Sequence, residues 1–329
     1  MLYKIEHVTR YAYSRPVGLS FQVAHLRPRD DAEQTCLSSK LVVVPAPERI
    51  DTDLDYFGND LARFELVSPH QKLIITATSE VDVRRKPEIP DSSEPWEDVR
   101  QYFAETRWGQ DADSAAAEFL FPSPLVPYAP ALRDYARASF TPEAEIVAAA
   151  LDLMTRIHEE FEFDPTATHV TTSVETVLAI RRGVCQDFAH LMIGCLRALG
   201  LPARYVSGYL LTQPPPGQPR LIGADASHAW VALYVPGYGW LALDPTNNMV
   251  PGDKHIMLAW GRDFGDVSPL RGVILGGGEH EVDVGVTVTP LDEEIEPASG
   301  LETSTEIDED TAQASVPDET TRDEATPGA

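Results

Sequence analysis

The spacing of apolar residues changes along this chain, and that change limits the folds open to it. Tyr3, Ile5, His7, Thr9, Tyr11 and Tyr13 alternate with Lys4, Glu6, Val8, Arg10, Ala12 and Ser14. A period of two marks a strand with one buried face. Leu73, Ile75, Ala77, Val81 and Val83 repeat it. Leu41 to Val44 and Leu61 to Val67 are further strand candidates, with a Phe57-Gly58-Asn59-Asp60 turn between them. From Thr141 the period lengthens: Ile146, Ala150, Leu153 and Ile157 recur at helical spacing, with Thr141-Pro142 as the expected helix start. The chain thus reads as strands, then helices, then strands again.

Residues 1–90 read as a small antiparallel β-sandwich, and Lys86 to Pro95, with three prolines, as a linker. Residues 91–290 hold the helices. Ser173 is placed to cap a short helix to about Arg182, with Gly183 ending it. A second helix starts near Cys185, turns Phe188, Leu191, Met192, Cys195 and Leu199 inward, and stops at Gly200 and Pro202. Arg204 to Leu211, Ala229 to Val235, Trp240 to Leu243 and Glu281 to Thr289 read as strands.

Charge and cysteine usage narrow the functional classes. The formal charge is -26, and residues 291–329 carry thirteen acidic residues against one basic residue, Arg322. That segment has no aromatic residue and is expected to be a disordered acidic tail. So acidic a chain is not expected to bind nucleic acid or an anionic membrane. The first residues lack the basic start and apolar run of a signal peptide, and no apolar run is long enough to span a bilayer. Three cysteines, Cys36, Cys185 and Cys195, fit a reducing compartment, so the expected location is cytoplasmic. No Cys-x-x-Cys pair or calcium-loop spacing occurs, and neither a metal nor a cofactor is expected.

The chemistry concentrates in three stretches. Arg182-Gly183-Val184-Cys185-Gln186-Asp187 puts a thiol at a helix start, where free N–H groups and the helix dipole favour a thiolate and can hold an oxyanion. His228 precedes a strand, and Asp244 ends the next one, across a Pro236-Gly237-Tyr238-Gly239 turn. A four-residue loop would pair Asp244 with Val231, on the opposite face from His228, whereas a three- or five-residue loop pairs it with Trp230 and leaves it on the His228 face, diagonal to that residue and on the order of 7 Å away between backbones. An odd loop or a bulge is therefore the expectation. In that arrangement the imidazole takes the thiol proton and the carboxylate orients the ring. The competing readings are a buried Cys185, a strand-end His228 and an Asp-Pro turn at Asp244. His190 lies about 140° around the helix from Cys185 and is expected to be structural. Asp187 suits the first helical turn for its dipole alone. Gln186 is a weaker candidate for a polar contact near the carbonyl oxygen, and Cys195 is expected in the core.

Gly183-Val184-Cys185-Gln186-Asp187-Phe188-Ala189-His190, Pro202-Ala203-Arg204-Tyr205-Val206-Ser207-Gly208-Tyr209, Ala226-Ser227-His228-Ala229-Trp230 and Asp244-Pro245-Thr246-Asn247 together resemble the bacterial transglutaminase-like superfamily. Gly261-Arg262-Asp263 and Asp266 to Val273 are similar to its continuation, and His7 to Val17 to the β-rich domain that often precedes its core. The resemblance implies an α+β fold with a papain-like core, Cys185 as nucleophile, His228 as base and Asp244 as orienting acid. It implies attack on an amide carbonyl of a peptide or protein substrate to give a thioester. Hydrolysis by a peptidase or amidase is the first expectation. Transfer to an amine, as in a protein-glutamine transglutaminase, is the alternative, and a non-catalytic binding or scaffold protein is the rival of a different class. The oligomeric state is left open.

Overall fold

The structure is a computed structural model that describes residues 1–91, 93–105, 112–212 and 226–291. The expected acidic tail, beyond Leu291, and the loop from Gln213 to Pro219 lie outside the described residues. In chain order the elements are β1 (Leu2–Ala24), β2 (Gln34–Val44), β3 (Ile50–Leu54), β4 (Asp60–Leu66), β5 (His70–Val83), α1 (Trp96–Glu105), α2 (Ala112–Ala117), α3 (Pro130–Ala136) and α4 (Ile146–Glu160). There follow β6 (Glu162–Phe163), α5 (Val174–Ile180), β7 (Arg182–Gly183), α6 (Cys185–Ala198), β8 (Ala203–Leu210), β9 (Ala226–Val235) and β10 (Gly239–Leu243). The last elements are β11 (His255–Gly261), α7 (Phe264–Val267), β12 (Leu270–Gly276) and β13 (His280–Pro290).

The first strand organises the β-rich region. Its first half pairs with β5 on one side and β13 on the other. The pairing shifts register between Ala12 and Val17, around Pro16, which has no N–H to give a ladder. Its second half then pairs with β4 and β12. One seven-stranded antiparallel sheet results. Tyr13, Val17, Phe64, Leu66, Leu73 and Ile75, drawn from both halves, bury a shared core. Tyr3, Ile5, Val81, Val83, Val286 and Val288 extend the same alternation into the main core with the helices. Two strands from residues 91–290, β12 and β13, thus complete the amino-terminal sheet; of these only Glu281 to Thr289 was expected as a strand. Met1–Glu293 form one compact unit.

Helix α6 is the axis of the second half. Residues 187–197 of it are all buried, because it packs against α3, α5 and the sheet β10-β9-β8-β11. Two helix boundaries differ from the sequence reading. Thr141-Pro142 makes a turn instead of a cap, with Ala144 N–H on Thr141 O at 3.2 Å and Glu143 at φ 63°, so α4 begins only at Ile146. Ser173 does cap α5, accepting from Thr176 N–H, but Arg181 rather than Gly183 takes the left-handed closing position.

The outer edge of the second sheet is β11, and the β-rich region closes it. Gln34, fully buried, donates to Met257 O and accepts from Met257 N–H, both at 2.8 Å. Asn59 does the same with Trp260, at 2.8 and 3.0 Å. Two side-chain amides thus supply the pairing an adjacent strand would give, which satisfies an edge that would otherwise expose free backbone groups.

Candidate active site

Local sequence fixes where α6 starts. Val184 is extended, and its N–H donates to Asp187 Oδ2 at 2.8 Å; Thr168 Oγ1 donates to the same oxygen at 2.6 Å. Gly183 leaves room for this cap, because a Cβ there would stand 2.7 Å from Asp187 Oδ2. Burial pushes the Asp187 carboxyl up, while Thr168 and the Val184 N–H oppose the shift. With Asp187 occupied on Val184, the N–H groups of Cys185 and Gln186 have no hydrogen-bond partner among the described residues. The Cys185 thiol beside them is half-buried. Gln186 turns away to donate to Val170 O at 3.2 Å.

His228 is the third residue of β9, opposite Gly208 of β8. Gly239 pairs with Val235 and Leu243 with Val231, so the hairpin loop is the three residues Pro236-Gly237-Tyr238. The odd loop sets Asp244 in register with Trp230 and on the face of His228. His228 Nε2–H donates to Asp244 Oδ2 at 2.7 Å, which leaves Nδ1 for the thiol. Burial works against a charge on this ring. Hydrogen bonds and charge from Asp244 and Cys185 overcome that and push its pKa up to about 10. Asp244 is fully buried, and burial favours its neutral form, but the two histidines and Asn247 hold it well below the usual carboxylate range.

Five donors surround that carboxylate. Oδ1 accepts from the N–H of Thr246 and of Asn247 at 3.0 and 3.2 Å, the turn expected of Asp-Pro. Oδ2 accepts from His228, from Asn247 Nδ2 at 2.8 Å and from His255 Nε2 at 3.1 Å. The turn and the imidazole partnership thus coexist in one residue. His255 was not singled out in the sequence. It lies in β11, is 1% exposed, and its Nδ1 has no partner. Burial depresses its basicity more than Asp244 raises it, so it stays a neutral donor.

Trp230 lies behind this group, its ring 6.1 Å from His228 and 5.2 Å from His255. Gly208 makes room for it: a Cβ there would stand 2.5 Å from the indole and 2.2 Å from Ile256 O. His190 is structural, as expected. It is buried, and its Nε2 accepts from Phe264 N–H at 3.1 Å. Cys195 is fully buried, and burial pushes its thiol up. His228, Asp244 and His255 offer three metal-donor atoms within 4.8 Å, but the 2.7 and 3.1 Å N–O spacings are hydrogen bonds, and a cation there would have to displace both N–H protons.

Comparison with known proteins agrees with this architecture. Residues 3–82 match the family described as bacterial transglutaminase-like N-terminal region, and residues 133–245 the transglutaminase-like superfamily. The uncharacterized protein Rv2569c of Mycobacterium tuberculosis is 40% identical over 88% of this chain and 93% of its own length. A protein-glutamine gamma-glutamyltransferase of Pseudomonas aeruginosa is 36% identical over 38% of this chain and 19% of its own. The fold is shared with a candidate cysteine protease from Cytophaga hutchinsonii, at a TM-score of 0.69 and 22% identity over 89% of this chain and 92% of that one. No helix among the described residues is long and apolar enough to cross a membrane. The chain belongs to the transglutaminase-like superfamily, with the bacterial N-terminal region ahead of its core.

Proposed function

We propose that this protein is a cysteine-dependent hydrolase of amide bonds in peptides or proteins. The observation that carries the reading is His228, hydrogen-bonded to the buried Asp244 carboxylate and to Cys185, which together favour its protonated form. Cys185 gives its proton to His228, attacks the amide carbonyl and forms the C–S bond. The free N–H groups of Cys185 and Gln186 stabilise the oxyanion. The C–N bond breaks as His228 gives its proton to the leaving amine, and an acyl thioester remains.

Acylation also changes the base. Part of what raises His228 is the hydrogen bond and charge of Cys185, and both go once the sulfur is acylated. The freed ring then takes a proton from water, whose oxygen attacks the thioester. The acid leaves, and the thiolate–imidazolium pair returns. Asp244 orients the ring throughout, with His255 and Asn247 holding Asp244 in place. The three unpaired cysteines support a reducing, cytoplasmic setting.

The similarity to a protein-glutamine gamma-glutamyltransferase favours a second reading, in which an amine takes the place of water. Incubation with a glutaminyl peptide and a labelled amine separates the two. Release of free acid as the main product fits the hydrolase, and dominant amine incorporation overturns it.

A further inference from the structure

Arg204, on β8, is only 9% exposed. Its guanidinium carbon sits 3.7 Å from the centre of the Trp260 ring and 4.1 Å from that of Trp240. Its Nε has no hydrogen-bond partner, and no carboxylate among the described residues forms an ion pair with it. The fold treats its other buried arginines differently. Arg197 donates to the carbonyls of Phe119, Ala203 and Arg262 and to Ser123 Oγ. Arg85 is paired with Asp31 and Glu33. A buried cation without a direct ion pair is costly, and here it lines a cavity of about 470 Å³.

That cavity lies across the second sheet from α6. Arg204 and Val206 share a face with Trp230, Ala232 and Met257, whereas Tyr205, Val231 and Leu233 on the other face join the core around α6. Its walls are mainly Trp230, Trp240, Trp260 and Met257, and Ala32, Lys86 and Glu88 stand exposed around it.

We propose that this cavity binds a small monocarboxylate on an aromatic or apolar body, with Arg204 as its anchor. The planar guanidinium fork matches a carboxylate in two parallel hydrogen bonds. One unpaired cation balances one negative charge. Beside Arg204 the lining holds three acids, Asp31, Glu33 and Glu88, against two cations, Arg85 and Lys86, a balance that disfavours a dianion such as phosphate. The indole walls suit an apolar body, and the volume is that of a small-molecule site. Burial and the charge of Arg29, then Arg85, pull the guanidinium below its ordinary range, opposed only by Asp31; a bound anion relieves that strain. An occupant would also touch Trp230, which backs His228 and His255.

Calorimetric titration of the full chain carrying Cys185→Ala with benzoate, benzamide and inorganic phosphate tests the site. Saturable benzoate binding is expected, about tenfold or more tighter than benzamide or phosphate. Arg204→Gln removes the anchor. Ala32→Phe narrows the mouth from an exposed position and guards against a misfolded Arg204 variant. Each is expected to weaken benzoate about tenfold or more. The proposal is overturned if benzoate shows no saturation up to about 10 mM, if benzamide or phosphate binds as tightly, or if both folded variants bind benzoate as the parent does.

Discussion

Replacing Asp244 with asparagine changes one atom in a fully buried cluster and tests both its packing and its charge. The carboxylate serves five donors, two on Oδ1 and three on Oδ2. An amide has one oxygen. Whichever way it turns, its NH2 group faces at least two donors that then lack an acceptor. At about 1–3 kcal/mol for each orphaned buried donor, the loss is about 2–6 kcal/mol, a large part of a typical ~5–15 kcal/mol total.

The charge leaves a pH signature on top of this. The folded pKa of His228 is raised from 6.5 to about 10, so its pairing stabilises fully below pH 6.5 and is lost as the pH climbs to about 10. Asp244 is depressed from 3.8, so its own contribution is present above that value and is lost in acid. The difference between wild type and Asp244→Asn in urea unfolding is therefore largest between about pH 4 and 6.5 and shrinks towards pH 10. NMR titration of the His228 ring should show it losing its proton well below pH 10 in the variant. Equal unfolding free energies at pH 6, or a ring that still titrates near pH 10 without the carboxylate, would refute the reasoning.

Three other perturbations probe the supporting structure. Gly208→Ala drives a methyl group into Ile256 O and the Trp230 ring, and thermal unfolding should show a loss of at least about 1–3 kcal/mol. Gln34→Ala orphans Met257 N–H on the β11 edge and leaves Met257 O with the Arg29 N–H at 3.3 Å. It should cost about 1–3 kcal/mol in denaturant and slow any Cys185-dependent reaction, because His255 lies on the same strand. His7 is buried between Tyr209 and Thr9, and burial lowers its pKa from 6.5 to about 4. The unfolded chain binds that proton first, so stability should fall by on the order of 3 kcal/mol as the pH drops from 6.5 towards 4, and His7→Gln should flatten that part of the pH curve.

The parts of the site that were legible in the sequence are those set by local rules. A glycine-bearing turn between two apolar runs marked the hairpin, and its three-residue length in the structure sets the register that joins His228 to Asp244. The break at Gly183 and the long apolar face after it marked the start of α6. His255 escaped because β11 is buried on nearly every residue. A strand covered on both faces loses its alternation and reads as an unmarked apolar run. β12 and β13 are mostly exposed instead; the alternation from Glu281 to Thr289 marked a strand, but the place of both beside β1 depends on pairing between distant parts of the chain. At Thr141-Pro142 a local cap signal was outweighed by a turn, and Arg204 has no sequence mark that separates a stacked, unpaired arginine from a paired one.

The account stands or falls on acyl transfer through Cys185, which intact-mass and peptide mass spectrometry can follow during reaction with p-nitrophenyl acetate. The prediction is a transient acetyl group on Cys185, formed far faster than on the buried Cys36 and Cys195, slowed by His228→Gln and cleared by water with release of acetate. Acetylation of Cys185 at the rate of an ordinary thiol, unchanged by His228→Gln, would contradict it.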